Sequence, residues 1–116
     1  MRMEPVLEKT LLYDFYGELL TEHQRTVYEA VVLNDLSYTE AAEDFGISRQ
    51  GVHELVKRCT RILEGYEEKL HLLERFLKVR RKVEQIRELA AEDAEQDPQE
   101  LIGRICEISG SILEEL

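Results

Sequence analysis

The stretch SYTEAAEDFGISRQGVHELVKRC, residues 37–59, predicts two short helices joined by a tight turn. Ser37 and Ser48 stand where helix N-caps are expected, and Gly46 between them can adopt the left-handed conformation that ends a helix without steric cost. Two helices that cross steeply also need a small residue at their contact and apolar residues beneath the turn. The residues that meet these requirements are Ala42, Gly46, Ile47, Ser48 and Val52. Their offsets are typical of a helix-turn-helix.

The second helix of this motif would present one exposed face to a ligand. In a DNA major groove, Arg49 could pair with guanine and Gln50 with adenine, while Arg58 and Arg61 could hold phosphates. The alternative is that these side chains are ordinary solvated residues of an exposed helix. The candidate nucleic-acid-binding residues are Arg49, Gln50, His53, Lys57, Arg58 and Arg61.

Two local features oppose tight DNA binding. Glu40, Glu43 and Asp44 lie on the helix that would cross the DNA backbone, where carboxylates repel phosphates. Gly51 lies in the first turn of the second helix, and glycine inside a helix costs about 0.5–1 kcal/mol relative to alanine. Glycine at this position either allows close approach of a partner's backbone or is tolerated because a helix start is forgiving.

The charge of the chain is acidic and unevenly distributed. The net charge is −10, and residues 92–116 carry eight acidic residues against one basic residue. Such a balance weakens nonspecific attraction to any polyanion. One basic strip stands out, and it either follows the phosphates of a structured RNA or pairs with nearby carboxylates. Its residues are Arg75, Lys78, Arg80, Arg81, Lys82 and Arg87.

The 116 residues predict a single all-α domain, because prolines occur only at positions 5 and 98 and no segment alternates like a strand. A four-helix unit with the helix-turn-helix is expected over residues 6–65, followed by an extended basic helix and an acidic C-terminal helix over 66–116.

The first helix should span roughly residues 5–20. Thr21 with Gln24, and Ser37 with Glu40, predict capping boxes. An unbroken helix from Ser48 to Ala91 would exceed a compact domain, so a break or kink is expected near Gly65.

Apolar residues recur at heptad spacing on the last two predicted helices. On the first they are Leu72, Phe76, Val79, Val83, Ile86 and Ala90; on the second they are Leu101, Ile105, Ile108 and Ile112. These stripes predict a homodimer through both helices, with burial inside one chain as the alternative.

Several classes of protein and site do not fit this sequence. The apolar runs are too short for a membrane span or a signal peptide, so a cytoplasmic protein is expected. Cys59 and Cys106 are expected as reduced, packed thiols. The three histidines show no metal-ligand spacing, and the scattered glycines form no phosphate loop. The sequence therefore predicts no metal, no cofactor and no enzymatic activity.

Residues 20–66, LTEHQRTVYEAVVLNDLSYTEAAEDFGISRQGVHELVKRCTRILEGY, resemble the DNA-binding region four of bacterial sigma factors. The whole chain resembles the YlxM-like proteins of Gram-positive bacteria, on the opening LEKTLLYDFYGELLTEHQ, the 37–59 stretch and the long helix after it. The resemblance implies a sigma-region-four-like fold. It also implies an accessory role in the signal recognition particle pathway, suggested by gene neighbourhood, with the particle's RNA or GTPase as partner. The alternative is a sequence-specific DNA-binding transcriptional regulator.

Overall fold

The computed structural model describes residues 4–91 and 97–116. Over these residues the chain forms six α-helices and no strand, which confirms the all-α prediction. They are α1 (Pro5–Tyr16), α2 (Glu22–Tyr28), α3 (Tyr38–Phe45), α4 (Arg49–Leu70), α5 (Leu72–Ala91) and α6 (Pro98–Glu115). None of the helices in these two ranges combines the length and the apolar content that crossing a bilayer requires. The chain divides into two compact units, Met1–His71 and Leu72–Leu116.

Local capping bonds set the start of α2 and α3. The hydroxyl of Thr21 accepts from the Gln24 N–H at 3.2 Å, and the Gln24 side chain accepts from the Thr21 N–H at 3.0 Å, so this capping box is confirmed. Ser37 caps α3 by accepting from the Glu40 N–H at 3.1 Å, and the described bonds there include no return bond from the Ser37 N–H. The first helix was predicted too long. It ends at Tyr16 and tightens into a 3-10 turn, Gly17–Leu19, because Leu20 and Thr21 must be extended for the cap to form.

The core of the first unit is built on one face of α4. Val52, Val56, Cys59 and Leu63 recur at spacings of four, three and four residues, and each is buried. Burial raises the pKa of the Cys59 thiol, as expected for a packed, inert cysteine. Cys106 on α6 is exposed instead, so the prediction of a packed thiol is wrong for that residue. From the other helices and turns of this unit, the buried hydrophobic residues are Leu12, Tyr16, Leu20, Val27, Tyr28 and Ala41.

The long helix breaks at a residue that the sequence did not indicate. α4 continues through Gly65 to Leu70, and the chain turns at His71, which has a left-handed backbone (φ 56°, ψ 28°). The predicted break near Gly65 is therefore wrong. Tyr66 stacks on Tyr16 with ring centroids 6.0 Å apart, and the Tyr16 hydroxyl donates to the Glu67 carboxylate at 2.6 Å. These contacts hold the helix beyond Gly65 and offset the roughly 1 kcal/mol that glycine costs there.

The second unit is a pair of packed helices, α5 and α6. Lys82 reaches α6, where its ammonium lies 3.3 Å from the Ser111 carbonyl and 3.3 Å from the Glu115 carboxylate. The packed face of α5 is therefore rotated from the predicted seam: Val79 and Ile86 are half-buried, whereas Leu72, Phe76, Val83 and Ala90 are exposed. The predicted stripe of α6 is half-buried throughout, at Leu101, Ile105, Ile108 and Ile112.

Candidate nucleic-acid interface

The turn between α3 and α4 has the geometry that the sequence predicts. Gly46 has φ 66° and ψ 33°, and the Ala42 carbonyl accepts from the Ile47 N–H at 3.1 Å. No atom lies within 4 Å of the place where a Cβ on Gly46 would stand, so the backbone conformation alone favours glycine there. The Ser48 hydroxyl accepts from the Gly51 N–H at 2.9 Å and starts α4.

Two adjacent alanines of α3 differ in burial. Ala41 and Val52 are completely buried, whereas Ala42 and Ile47 are half-buried. The rotation of α3 about its axis encloses the first of these alanines fully and the second only in part. Ala42 instead contributes its carbonyl oxygen to the turn.

All six candidate contact residues are exposed on α4, but they line three different hollows. Arg49, Gln50 and His53 line one of about 470 Å³. Lys57 and Arg61 line a second, of about 300 Å³, which shares His53 with the first. Arg58 lies apart from both, in a hollow of about 390 Å³ lined mainly by α2 and the other flank of α4.

Tyr38 and Lys9 join this site, although neither was predicted. Tyr38, the first residue of α3, lines both hollows that hold His53, and its ring centroid lies 5.3 Å from that of His53. Lys9 lines the second hollow from α1. Tyr38 directly follows a predicted N-cap and was open to inference, whereas nothing local in the sequence connects Lys9 with α4. The residues that we call the Tyr38 face are Lys9, Tyr38, Arg49, Gln50, His53, Lys57 and Arg61.

The Tyr38 face is positive on an acidic chain. Four of its side chains are cations, and no carboxylate lines either of its two hollows. None of the ion pairs in the described part of the chain involves these four cations. Glu54 accompanies Arg58 in the third hollow, and a further one, near α2, contains both Glu22 and Glu29. The carboxylates Glu40, Glu43 and Asp44 are exposed on α3, as predicted, but line neither hollow of the face.

The Gln50 side chain is held in place by its own helix. Its amide nitrogen donates to the Glu54 carboxylate at 3.3 Å, one turn along α4. The amide group keeps a second N–H and its carbonyl oxygen, which are the two groups needed to pair with an adenine edge. Glu54 therefore orients Gln50 without exhausting its capacity to bind a base.

Gly51 lies in the first turn of α4, directly under the Ser48 cap. A Cβ at this position would lie 3.0 Å from the Ser48 hydroxyl oxygen, closer than side-chain carbons normally approach. That oxygen caps the Gly51 N–H itself. Gln24 and Glu40 carry side chains at the same position under the Thr21 and Ser37 caps, so the cap alone does not require glycine at position 51.

The basic strip on α5 is partly neutralised. Lys78 pairs with Glu74 at 3.5 Å, Arg80 with Glu84 at 3.3 Å, and Lys82 with Glu115 at 3.3 Å. The first two pairs are solvent-exposed and worth little for stability, but they lower the positive field of the strip. Within the described ranges, the cations of the strip outside these pairs are Arg75, Arg81 and Arg87.

Comparison with known proteins identifies close relatives of this chain. Residues 3–102 match the model of the UPF0122 family, described as "Putative helix-turn-helix protein, YlxM / p13 like". A UPF0122 protein of Caldanaerobacter subterraneus subsp. tengcongensis is 51% identical over 79 residues, 68% of each chain. A second, from Thermoanaerobacter pseudethanolicus, is 44% identical over 107 residues, 90% of this chain and 91% of the relative. A third, from Bacillus cereus, is 45% identical over 92 residues, 76% and 84% of the two chains.

Proposed function

Since this chain belongs to the UPF0122 family of YlxM-like helix-turn-helix proteins, we propose that it is a non-enzymatic regulatory protein that binds duplex DNA through the Tyr38 face in the cytoplasm. The charge of the face is the observation that carries this proposal. Four cations and no carboxylate line its two hollows, on a chain of net charge −10. The relatives' names assign no ligand, so the proposal rests on this geometry.

The length of α4 suits a helix that enters the major groove by its N-terminal end. Arg49 and Arg61 are twelve residues apart, or about 18 Å along the axis. The major groove is about 12 Å wide. With Arg49 and Gln50 at the bases, Arg61 therefore reaches the phosphates at the edge of the groove. Arg58, beside Glu54, contributes less because a carboxylate shares its hollow.

The acidic remainder of the protein limits how it binds DNA. Few phosphates can be neutralised by one small face, and the net negative charge repels DNA elsewhere. We expect weak nonspecific binding and a strong dependence on base contacts. Such a protein discriminates its site from bulk DNA by a few bidentate contacts, each worth roughly 1–3 kcal/mol.

Selection from randomised duplexes tests this function directly. We expect a preferred sequence to emerge, and Arg49→Ala to weaken binding to that sequence by about 5- to 150-fold, the equivalent of 1–3 kcal/mol. The same substitution should weaken binding to random duplex far less, because that binding is mostly to phosphates. Fluorescence anisotropy measures both affinities at about 50 and 200 mM salt, the range over which affinity from phosphate contacts falls steeply.

Arg104→Ala is the matched control, because Arg104 is an exposed arginine of α6 in the second unit. With a sedimentation coefficient equal to that of the native chain, it should leave both affinities unchanged. Equal losses from Arg49→Ala and Arg104→Ala would contradict the proposal, as would the absence of any preferred duplex.

A second candidate function is an accessory role in the signal recognition particle pathway, through the particle's RNA or its GTPase. Arg75, Arg81 and Arg87 support this candidate, since structured RNA is recognised largely through its backbone. The same anisotropy assay, with signal recognition particle RNA alone and with its GTPase bound, separates the two functions. RNA binding that Arg49→Ala leaves intact would favour the second candidate.

We also propose that the protein acts as a homodimer through α5 and α6. Val83 is 45% exposed and Ile102 is 60% exposed, so both helices of this pair offer apolar area to a partner. Burying such residues against a second copy would remove apolar area from water. A dimer would also carry two Tyr38 faces.

Sedimentation at micromolar concentration tests the dimer. We expect the native chain to sediment as a dimer, and Val83→Asp with Ile102→Asp to sediment as a monomer of unchanged helical content. Val6→Asp, at another exposed aliphatic residue in the first unit, should leave the dimer intact. A monomeric native chain would contradict the proposal.

A further inference from the structure

Lys9 is brought to the Tyr38 face by a helix outside the helix-turn-helix. It lies in the second turn of α1, and α1 packs against α4. The residue is half-buried, so its aliphatic stem is covered while it lines the same hollow as Lys57 and Arg61. Three cations from two helices therefore converge on one concavity of about 300 Å³.

No internal anion satisfies this convergence among the described residues. The hollow is lined by no carboxylate, and none of its three cations takes part in a described ion pair. Like charges brought together repel one another unless an anion sits between them. The rest of the lining provides polar groups without negative charge, from Tyr38, His53 and Thr60.

The position of the hollow relative to the base-reading residues fixes the kind of anion. It shares Tyr38 and His53 with the hollow of Arg49 and Gln50, so the two lie side by side along α4. A helix in the major groove has a sugar–phosphate strand on each side, within a few ångströms of the groove. The anion next to bases read by Arg49 is then a phosphate of that strand.

We infer that the hollow lined by Lys9, Lys57 and Arg61 is a binding site for a backbone phosphodiester of the DNA duplex, with Lys9 clamping the strand from α1. This inference rests on the proposed function and deepens it. The clamp adds no sequence information, since phosphates are common to all sequences. Its role is to fix the register of α4, so that Arg49 and Gln50 meet the base edges.

The dependence of affinity on salt reports the clamp. Each neutralised phosphate contributes about 0.9 to the slope of log affinity against log salt on duplex DNA. Lys9→Gln should therefore reduce the magnitude of this negative slope by about one. We expect affinity at about 50 mM salt to fall roughly 3- to 10-fold, by the same factor on the preferred and on random duplexes. Lys9→Arg keeps the charge and should restore most of the binding.

Lys69→Gln is the matched control for this experiment. It removes one exposed lysine charge from the same unit. Lys69 lies twelve residues after Lys57, about 18 Å further along α4, and lines neither hollow of the Tyr38 face. Its slope should equal that of the native protein. A thermal melt of each variant checks that Lys9→Gln is folded.

A set of duplexes with one methylphosphonate linkage each identifies the phosphate that Lys9 binds. Among the linkages whose neutralisation weakens the native protein, the one that Lys9 binds should weaken Lys9→Gln clearly less, because only Lys57 and Arg61 still contact it. An unchanged salt slope for Lys9→Gln, while Arg49→Ala still loses the preferred site, would overturn the clamp and leave the proposed function standing. A native protein that binds no duplex would overturn both.

Discussion

Replacing Arg49 and Lys57 together by glutamate is expected to abolish duplex binding, with a loss of at least about 100-fold at low salt. Each substitution removes a cation and adds an anion next to a phosphate, so the face changes by four charge units. Neither residue takes part in an ion pair in the described ranges, and both are exposed, so the free energy of unfolding should change by less than about 0.5 kcal/mol. Fluorescence anisotropy with the preferred duplex measures the loss.

Arg75→Glu with Arg81→Glu provides a control of the same charge. Both double variants take the net charge from −10 to −14, so any effect of overall charge is shared. Only the position of the reversed charges differs. We expect the α5 variant, shown by sedimentation to keep the native oligomeric state, to keep duplex binding within roughly threefold, the scale of a long-range screened interaction. If the α5 variant loses duplex binding and the α4 variant keeps it, the Tyr38 face is not the interface.

The charge of a sequence segment differs from the charge of a folded face. Residues 21–65 are acidic overall, with eight carboxylates against five cations. On the folded unit, Glu40, Glu43 and Asp44 line neither hollow of the Tyr38 face, while Lys9 is added to it from α1. Charge per segment cannot reveal this separation, because the faces are assembled from several helices.

Features with local causes were predicted well. Thr21, Ser48 and Gly46 act through bonds and backbone angles within four residues, so their neighbours in sequence are enough to identify them. The exposure of Arg49, Gln50 and His53 followed from the same helix register. The motif and its outward face were therefore correct before any tertiary contact was known.

Features with tertiary causes were missed. His71 is a non-glycine residue with a left-handed backbone, and nothing in the neighbouring sequence requires a break there. The packing of Tyr16 with Tyr66 and Glu67 carries α4 past Gly65 instead.

The predicted stripe on α5 shares Val79 and Ile86 with a second stripe of the same heptad spacing. The spacing alone therefore cannot decide which of the two stripes is packed. The structure covers the stripe of Val79, Lys82, Ile86 and Leu89, of which Leu89 is buried and the others are half-buried. The long stem of Lys82 packs while its ammonium pairs with Glu115. A lysine on the packed face is invisible to a count of apolar residues, so the predicted seam was rotated.

The core of the first unit yields the largest expected loss of stability. Leu63 is completely buried on the face of α4 that organises this unit. Leu63→Ala removes the buried side chain and leaves a cavity that a close-packed core fills only in part, at a cost of about 2–5 kcal/mol. Many domains have only 5–15 kcal/mol of stability in total, so the unit should be close to its unfolding threshold.

Tyrosine fluorescence during urea unfolding measures this effect on the first unit alone. All five tyrosines lie between residues 13 and 66, and the chain has no tryptophan, so the signal reports no unfolding of α5 or α6. Leu63→Ala should lower the midpoint by this probe well below that of the native chain. Leu19→Ala changes a leucine that is 56% exposed in the same unit. It should change the free energy of unfolding by less than about 0.5 kcal/mol and leave the midpoint almost unchanged. Equal shifts for the two variants would mean that the burial of Leu63 does not organise the unit, and that the platform holding Arg49 and Lys9 together has another origin.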